Sequence, residues 1–256
     1  DGCVTLVEID PPSHAPPAAI ASPGACARIH ETSTALNPHE LGNLTQFMAL
    51  VDGTIPGSVA RVEVRSPVMD WSIRSGSNHL ASPGNFSPTT PWPNLGDVGS
   101  GGAARFRGFL RIGCGESTER TIGLIGNDSV RLVIEGATVI EENWASNRWK
   151  KFRWVSFPGP GLYAFEIQWS TNLCCDIDPM ELVWSDTLIP GYQAYDTMCN
   201  SSACGVYNNN VPIPGLRVVD GDELASTSTG AAGSCAQCRN DGDCGAGRCN
   251  AAGLCE

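Results

Sequence analysis

At 256 residues the chain is long enough for one large domain, or for one domain with a small appendage. A net charge of −11 and a pI near 4.7 argue against nucleic acid or an anionic membrane surface as partner. Twelve cysteines point to an oxidising compartment, and no apolar run approaches the roughly 20 residues that span a bilayer.

No basic and apolar leader opens the chain, so it reads as a mature secreted or surface-displayed ectodomain, with any anchor expected beyond Glu256. Residues 10–24, DPPSHAPPAAIASPG, read as an extended proline-rich arm. In NPHELGNLTQFMALV, 37–51, Asn37 suits an N-cap, Pro38 the first helical position and Glu40 a capping box. Leu41, Leu44, Met48 and Val51 then recur at helical spacing, which predicts one short amphipathic helix. SVARVEVRSPVMDW, 58–71, alternates and predicts strand. Residues 81–103 read as a long loop of Ser, Pro, Asn and Gly carrying Trp92. Strand-like runs follow at 104–112, 120–126, 130–136, 137–144, 151–157, 161–170 and 180–185, with turn residues between them. Many short strands in succession predict an all-β fold, an antiparallel sandwich or barrel with a minor helix.

The composition shifts after about residue 221. The expected organisation is a recognition domain over 1–221, a small polar flexible linker over 222–234, and a cysteine-rich region over 235–256, read as cut inside a longer one. Cys235, Cys238, Cys244, Cys249 and Cys255 follow a C-x2-C-x5-C-x4-C-x5-C spacing with almost no apolar residues between them, so disulfides must supply the order. Cys3, Cys26, Cys114, Cys174, Cys175, Cys199 and Cys204 precede the linker. Cys3 and Cys26 flank the proline-rich arm and can pin it to the body. Seven before and five after are both odd counts, so either one bridge joins body to tail or each part keeps one cysteine unpaired. The tail has no histidine, which favours disulfide over zinc.

FRGFLRI, RTIGLIGNDSVRLVIEGATVIEENW, FPGPGLYAFEIQW and MELVWS stand in the order, spacing and side-chain type of the PA14 domain pattern. Residues 58–186 thus resemble that family, a β-sandwich found in toxins, adhesins, glycosidase inserts and yeast lectins. The resemblance implies an antiparallel sandwich followed here by a small disulfide-rich tail. A narrower resemblance, to a PA14-like head on a cysteine-rich stalk, implies a homotypic outer-membrane receptor whose partner is an identical or closely related receptor on a neighbouring cell.

In the yeast lectins of the family, a paired aspartate joined by a cis peptide coordinates calcium, and the calcium holds a sugar diol. The matching positions are Asn127 and Asp128, and a second loop, STNLCCDIDPMELVW at 170–184, implies Asp176 and Asp178 as further ligands. Calcium takes roughly 6–8 oxygen ligands, and Asn127 in place of an aspartate removes one charge. The alternative at 127–128 is an Asx-type turn between two strands. In the second loop, Cys174 and Cys175 suit bridges to other segments, and apolar groups stand among carboxylates. Asn172, Asp176, Ile177, Asp178, Pro179 and Met180 are therefore the candidate partner-specificity residues, with a solvated loop as the alternative. Trp71, Trp154, Trp169 and Trp184 fall in strands and read as core or sheet-face residues, whereas Trp92 and Trp144 lie in or near loops. The basic run NRWKKFR, 147–153, either meets an acidic patch on a like molecule or is a solvated face.

No catalytic motif is present, and Glu141 and Glu142, adjacent on a strand, point to opposite faces and cannot act as a glycosidase pair. The reading is therefore of a surface adhesin rather than an enzyme. A calcium-dependent lectin binding glycan is the alternative.

Overall fold

A computed structural model describes residues 6–12, 23–32, 44–56, 58–71, 102–113, 115–127, 129–142, 148–171, 180–189, 197–198, 207–208, 211–212, 215–219, 221 and 223–226. Strand alternation does most of the building. Along β5 (Gly102–Ile112), Ala104, Phe106, Leu110 and Ile112 are fully buried, while Arg105, Arg107 and Arg111 stand on the other face.

One sheet runs β1 (Leu6–Glu8), β9 (Arg148–Ser156), β6 (Glu119–Asn127), β11 (Met180–Ser185) and β15 (Arg217–Val218). Two short strands join it, β12 (Thr197–Met198) on β9 and β4 (Asp70–Trp71) on β11. The second sheet runs β3 (Ser58–Ser66), β2 (Ala25–Thr32), β5, β10 (Gly161–Thr171), β7 (Ser129–Ile134) and β8 (Ala137–Glu142), with β16 (Leu224–Ala225) also on β5. A separate pair, β13 (Tyr207–Asn208) and β14 (Val211–Pro212), completes the described strands. All pairings are antiparallel except β1 with β9.

The inner faces of the two sheets share one core. Ile122, Leu124, Leu182 and Trp184 of the first sheet pack with Phe106, Leu110, Leu132, Ile167 and Trp169 of the second. The fold is thus the expected all-β sandwich. Helix α1 (Leu44–Val51) lies on the outer face of the second sheet and buries Leu44, Phe47, Met48, Leu50 and Val51 with Ala103. Its expected start, 37–43, lies outside the described residues. Between β7 and β8 the two-residue turn places Glu135 (φ 45°) and Gly136 (φ 81°) in the left-handed region, the hairpin turn that suits right-handed strand twist. Glu135 tolerates this because its backbone N–H donates to the Ala164 carbonyl at 2.8 Å and its carboxylate accepts from the Ala164 N–H at 2.6 Å.

The end of the sandwich where β6 begins and β11 finishes is closed by ions. Arg120 is 1% exposed, and its guanidinium lies 4.0 Å from the Trp184 ring centroid. It donates to Asp186 and to Glu116, both at 2.8 Å. Trp184 in turn donates its indole N–H to Glu223 at 3.2 Å, and Arg217 grips Glu223 with both terminal nitrogens.

Two expectations are corrected. β2, in a stretch where sequence reading placed no strand, is central, because Ala25, Ala27 and Ile29 alternate into the core between β3 and β5. The body also extends past 221. Leu224 and Ala225 pair with Leu110 and Phe109 and are buried, so residues 223–226 belong to the sheet rather than to a linker. Gly108 permits this approach, since a Cβ there would meet the Ala225 carbonyl oxygen at 2.6 Å.

Arg120→Met is expected to cost about 2–3 kcal/mol in denaturant unfolding, less than for a fully buried pair because Glu116 and Asp186 keep contact with water. Gly108→Ala is expected to destabilise by roughly 1–3 kcal/mol by the same measurement, through displacement of β16.

Candidate functional site: the loop-bearing end

The strand registers bring several connections to one end of the sandwich. Ser170 stands opposite both Ser129 and Ala103, and Thr171 opposite Gly102. Met180 stands opposite Gly126 and Trp71, Asn127 opposite Arg148, and Val130 opposite Glu142. The connections 72–101, 128, 143–147 and 172–179 therefore all start and finish at this end, away from the Arg120 cluster. α1 packs over the same end through Ala103.

Within it, the polar pair has a specific place. β6 ends at Asn127 and β7 begins at Ser129, and these strands belong to different sheets. Residues 127–129 therefore carry the chain across the sandwich and do not close a hairpin. Gly126 pairs with Met180, so the two segments singled out from sequence, 127–128 and 172–180, leave the sheets side by side. Asp128, Asn172, Asp176, Ile177, Asp178 and Pro179, and the Asn127 side chain, lie outside the described residues. Among the described residues no group of three or more His, Cys, Asp or Glu gathers to hold a metal, and no peptide bond is cis.

Met180, grouped with the specificity residues from sequence, belongs elsewhere. It is the first residue of β11, is 0% exposed and packs in the main core with Leu182 and Trp184. Strand alternation continuing from Trp184 inward forces it there. Its side chain cannot meet a partner.

Among the described residues, two ion pairs stand at this end. Arg131 donates to both Glu141 oxygens at 3.0 Å, and that hydrogen bonding raises its pKa above the ordinary guanidinium value. Lys151, from the basic run 147–153, lies 3.0 Å from Glu142 across the two sheets. Arg153 donates to the Phe152 carbonyl at 2.7 Å. Glu141 and Glu142 thus engage opposite sides of β8, as strand geometry requires. Trp169 and Trp184 are fully buried and Trp154 partly so, whereas Trp92 and Trp144 and the Trp71 side chain lie outside the described residues.

Sequence reading missed Glu181, which is 0% exposed and opposes Asp70 and Ile125 one residue into β11. The available signal was a lone carboxylate inside the otherwise apolar strand MELVWS. Among the cysteines only Cys26 is described. It sits on β2 with its sulfur 4.0 Å from the Ser226 carbonyl, and the disulfide expectations for the others fall outside the described residues.

Several solved structures are similar in arrangement. The PA14 domain of an antifreeze protein, MpAFP, is 17% identical, with 74% of this chain and 89% of that chain covered and a TM-score of 0.45. A PA14 sugar-binding domain from an RTX adhesin is 16% identical over 64% of this chain and 90% of its own, at 0.46. The Epithelial Adhesin 6 A domain from Candida glabrata, solved in complex with Galb1-3GlcNAc, is 8% identical over 83% and 94%, at 0.44. At these scores and identities none of them bears on what this chain does. No family model matches the chain, and no curated protein matches it. Among the described residues no helix is long and apolar enough to cross a membrane.

Met180→Ala is expected to lower stability by about 2–5 kcal/mol in denaturant unfolding, the cost of a core cavity.

Proposed function

We propose that this chain is the recognition head of a bacterial cell-surface adhesin that binds an identical or closely related receptor on a neighbouring cell, without enzymatic activity. The observation that carries the reading is a polarity in the fold. The connections 72–101, 128, 143–147 and 172–179 converge at one end. The body's last described strand, β16, lies well below that end. Ala225 pairs with Phe109, seven positions along β5 from Gly102, or about 23 Å at roughly 3.3 Å per residue. Beyond Ser226 the chain continues into the cysteine-rich residues 235–256. Connections that start and finish at one end of a rigid sandwich suit presentation to a partner outside the cell.

The sequence of a PA14-like head, a linker and the run NDGDCGAGRCNAAGLC is similar to that of the myxobacterial outer-membrane-exchange receptor TraA. That similarity supports the finer reading, in which self-recognition between kin cells leads to outer-membrane adhesion and exchange. Residues 176–179 carry partner choice, and Met180 is excluded because its side chain fills the core. Exchange of 176–179 for the residues of another allele is expected to redirect adhesion between beads or cells while stability stays unchanged. Unaltered partners would overturn the assignment.

A second reading is a calcium-dependent lectin. It is favoured by the pairing of Gly126 with Met180, which sets the residue that precedes Asn127 beside the residue that follows Pro179. Calcium there would be held by Asn127, Asp128, Asp176 and Asp178, with a glycan as ligand. Titration with calcium is expected to give heat that Asp128→Ala abolishes. No uptake at millimolar calcium would overturn this reading.

A further inference from the structure

We propose that residues 224–226 are a force-released strap: load that draws the chain beyond Ser226 away from the loop-bearing end unzips them from the sheet, and Glu223 stops the unzipping. The strap fills one lane of the second sheet. Leu224 and Ala225 pair antiparallel with Leu110 and Phe109 of β5 on one side. On the other side the Gly24 N–H donates to the Leu224 carbonyl at 2.8 Å, and Pro23 bridges to Ala225. Further along β5 the same lane belongs to β2, since Cys26 stands opposite Arg107. The chain therefore has to leave the sheet at Ser226. At rest the strap is held by burial: Leu224 is 0% exposed in the main core, and Ala225 packs with Phe109 and Leu162.

Strand direction decides how the strap meets a load. β5 runs from Gly102 at the loop-bearing end to Ile112 at the closed end, and β16 runs against it, so Ala225 lies nearer the loop-bearing end than Leu224. A pull on Ser226 toward the loop-bearing end acts along the strap and loads its bonds together. A pull the other way folds the strap back on itself and breaks its contacts in turn, Ala225 from Pro23 and Phe109, then Leu224 from Gly24 and Leu110. Rupture in sequence needs less force than joint rupture, because each contact bears the load alone. Glu223 is held differently. Its carbonyl accepts from the Arg111 N–H at 2.8 Å in the second sheet, while its carboxylate reaches the first. There it accepts from the Trp184 indole at 3.2 Å and from both terminal nitrogens of Arg217, and lies 3.9 Å from Arg120. A load that arrives at Glu223 is thus shared by both sheets through charge-assisted bonds.

The strap is a local yield point in a body that otherwise stays folded. Its release lengthens the tether by roughly 20 Å, three residues at about 3.3 Å each reversing direction. An adhesin held at its loops by a partner and drawn back through the residues after Ser226 is loaded in the unzipping sense. That use of the strap rests on the adhesin reading above, whereas its response to the direction of load does not.

Optical tweezers on the folded full chain test it. A labelling peptide inserted at Gly230, with the chain cut just after it before pulling, leads the load through Ser226 alone. The second handle is an azide-bearing residue, either at Ala145 in the connection 143–147 of the loop-bearing end or at Pro160, which is exposed beside Gly161 at the closed end. Held at Ala145, the chain is expected to lengthen by one reversible step of roughly 20 Å before the body unfolds. Held at Pro160, the step is expected at about twofold higher force or more, or merged with unfolding of the body. With the handle at Ala145, Leu224→Ala is expected to lower the step force about twofold by removing the buried anchor. Glu223→Gln is expected to lengthen the step, since unzipping then runs on toward Val219, whose N–H donates to the Leu182 carbonyl. Far-UV circular dichroism verifies folding of each variant, and the comparison of handles on wild type needs no variant to fold. Equal step forces for the two handles, no step at Ala145, or a step unchanged in Leu224→Ala or Glu223→Gln would overturn the proposal. Wild-type beads that fail to adhere would overturn the adhesin reading separately, since the pulling record involves no partner.

Discussion

The guanidinium of Arg120 against Trp184 holds one end of the sandwich shut. Removing that cation from water lowers its pKa through desolvation, and the charges of Asp186, Glu116 and Glu223 oppose that loss. Through these partners Arg120 joins β6 to the stretch after β11, and Glu223 joins β15 and the approach to β16. The opposite end carries the connections 72–101, 128, 143–147 and 172–179.

That division explains why the two candidate segments meet. β6 and β11 are paired over their full overlap, from Thr121 with Ser185 to Gly126 with Met180. Once Trp184 is fixed at one end, the register dictates that the residue after Gly126 and the residue before Met180 emerge together at the other. Of the charged side chains described near that end, Arg131 engages Glu141 and Lys151 engages Glu142. The outer face of the second sheet follows the same rule. Arg107 and Arg105 share Glu166, Arg131 takes Glu141, and Gln168 links Glu166 to Arg131.

The sequence by itself determined the sheet elements between 104 and 185, because alternation of Phe106, Leu110, Ile122, Leu132, Ile167 and Trp184 is local and periodic. β11 falls on residues 180–185 as expected, and the boundary expected between the runs 130–136 and 137–144 is the turn at Glu135–Gly136. The tertiary structure alone decided three matters. β2 is too small-featured to announce itself, since Ala25 and Ala27 become core only when β3 and β5 flank them. Met180 reads both as the start of the strand 180–185 and as the end of the loop DIDPM, and its pairing with Gly126 together with its burial settles it as core. Leu224 and Ala225 look like the start of a polar linker, yet Gly108 leaves a place for them on β5. In each case side-chain pattern specifies a face, but only pairing with a distant strand specifies which neighbour fills it.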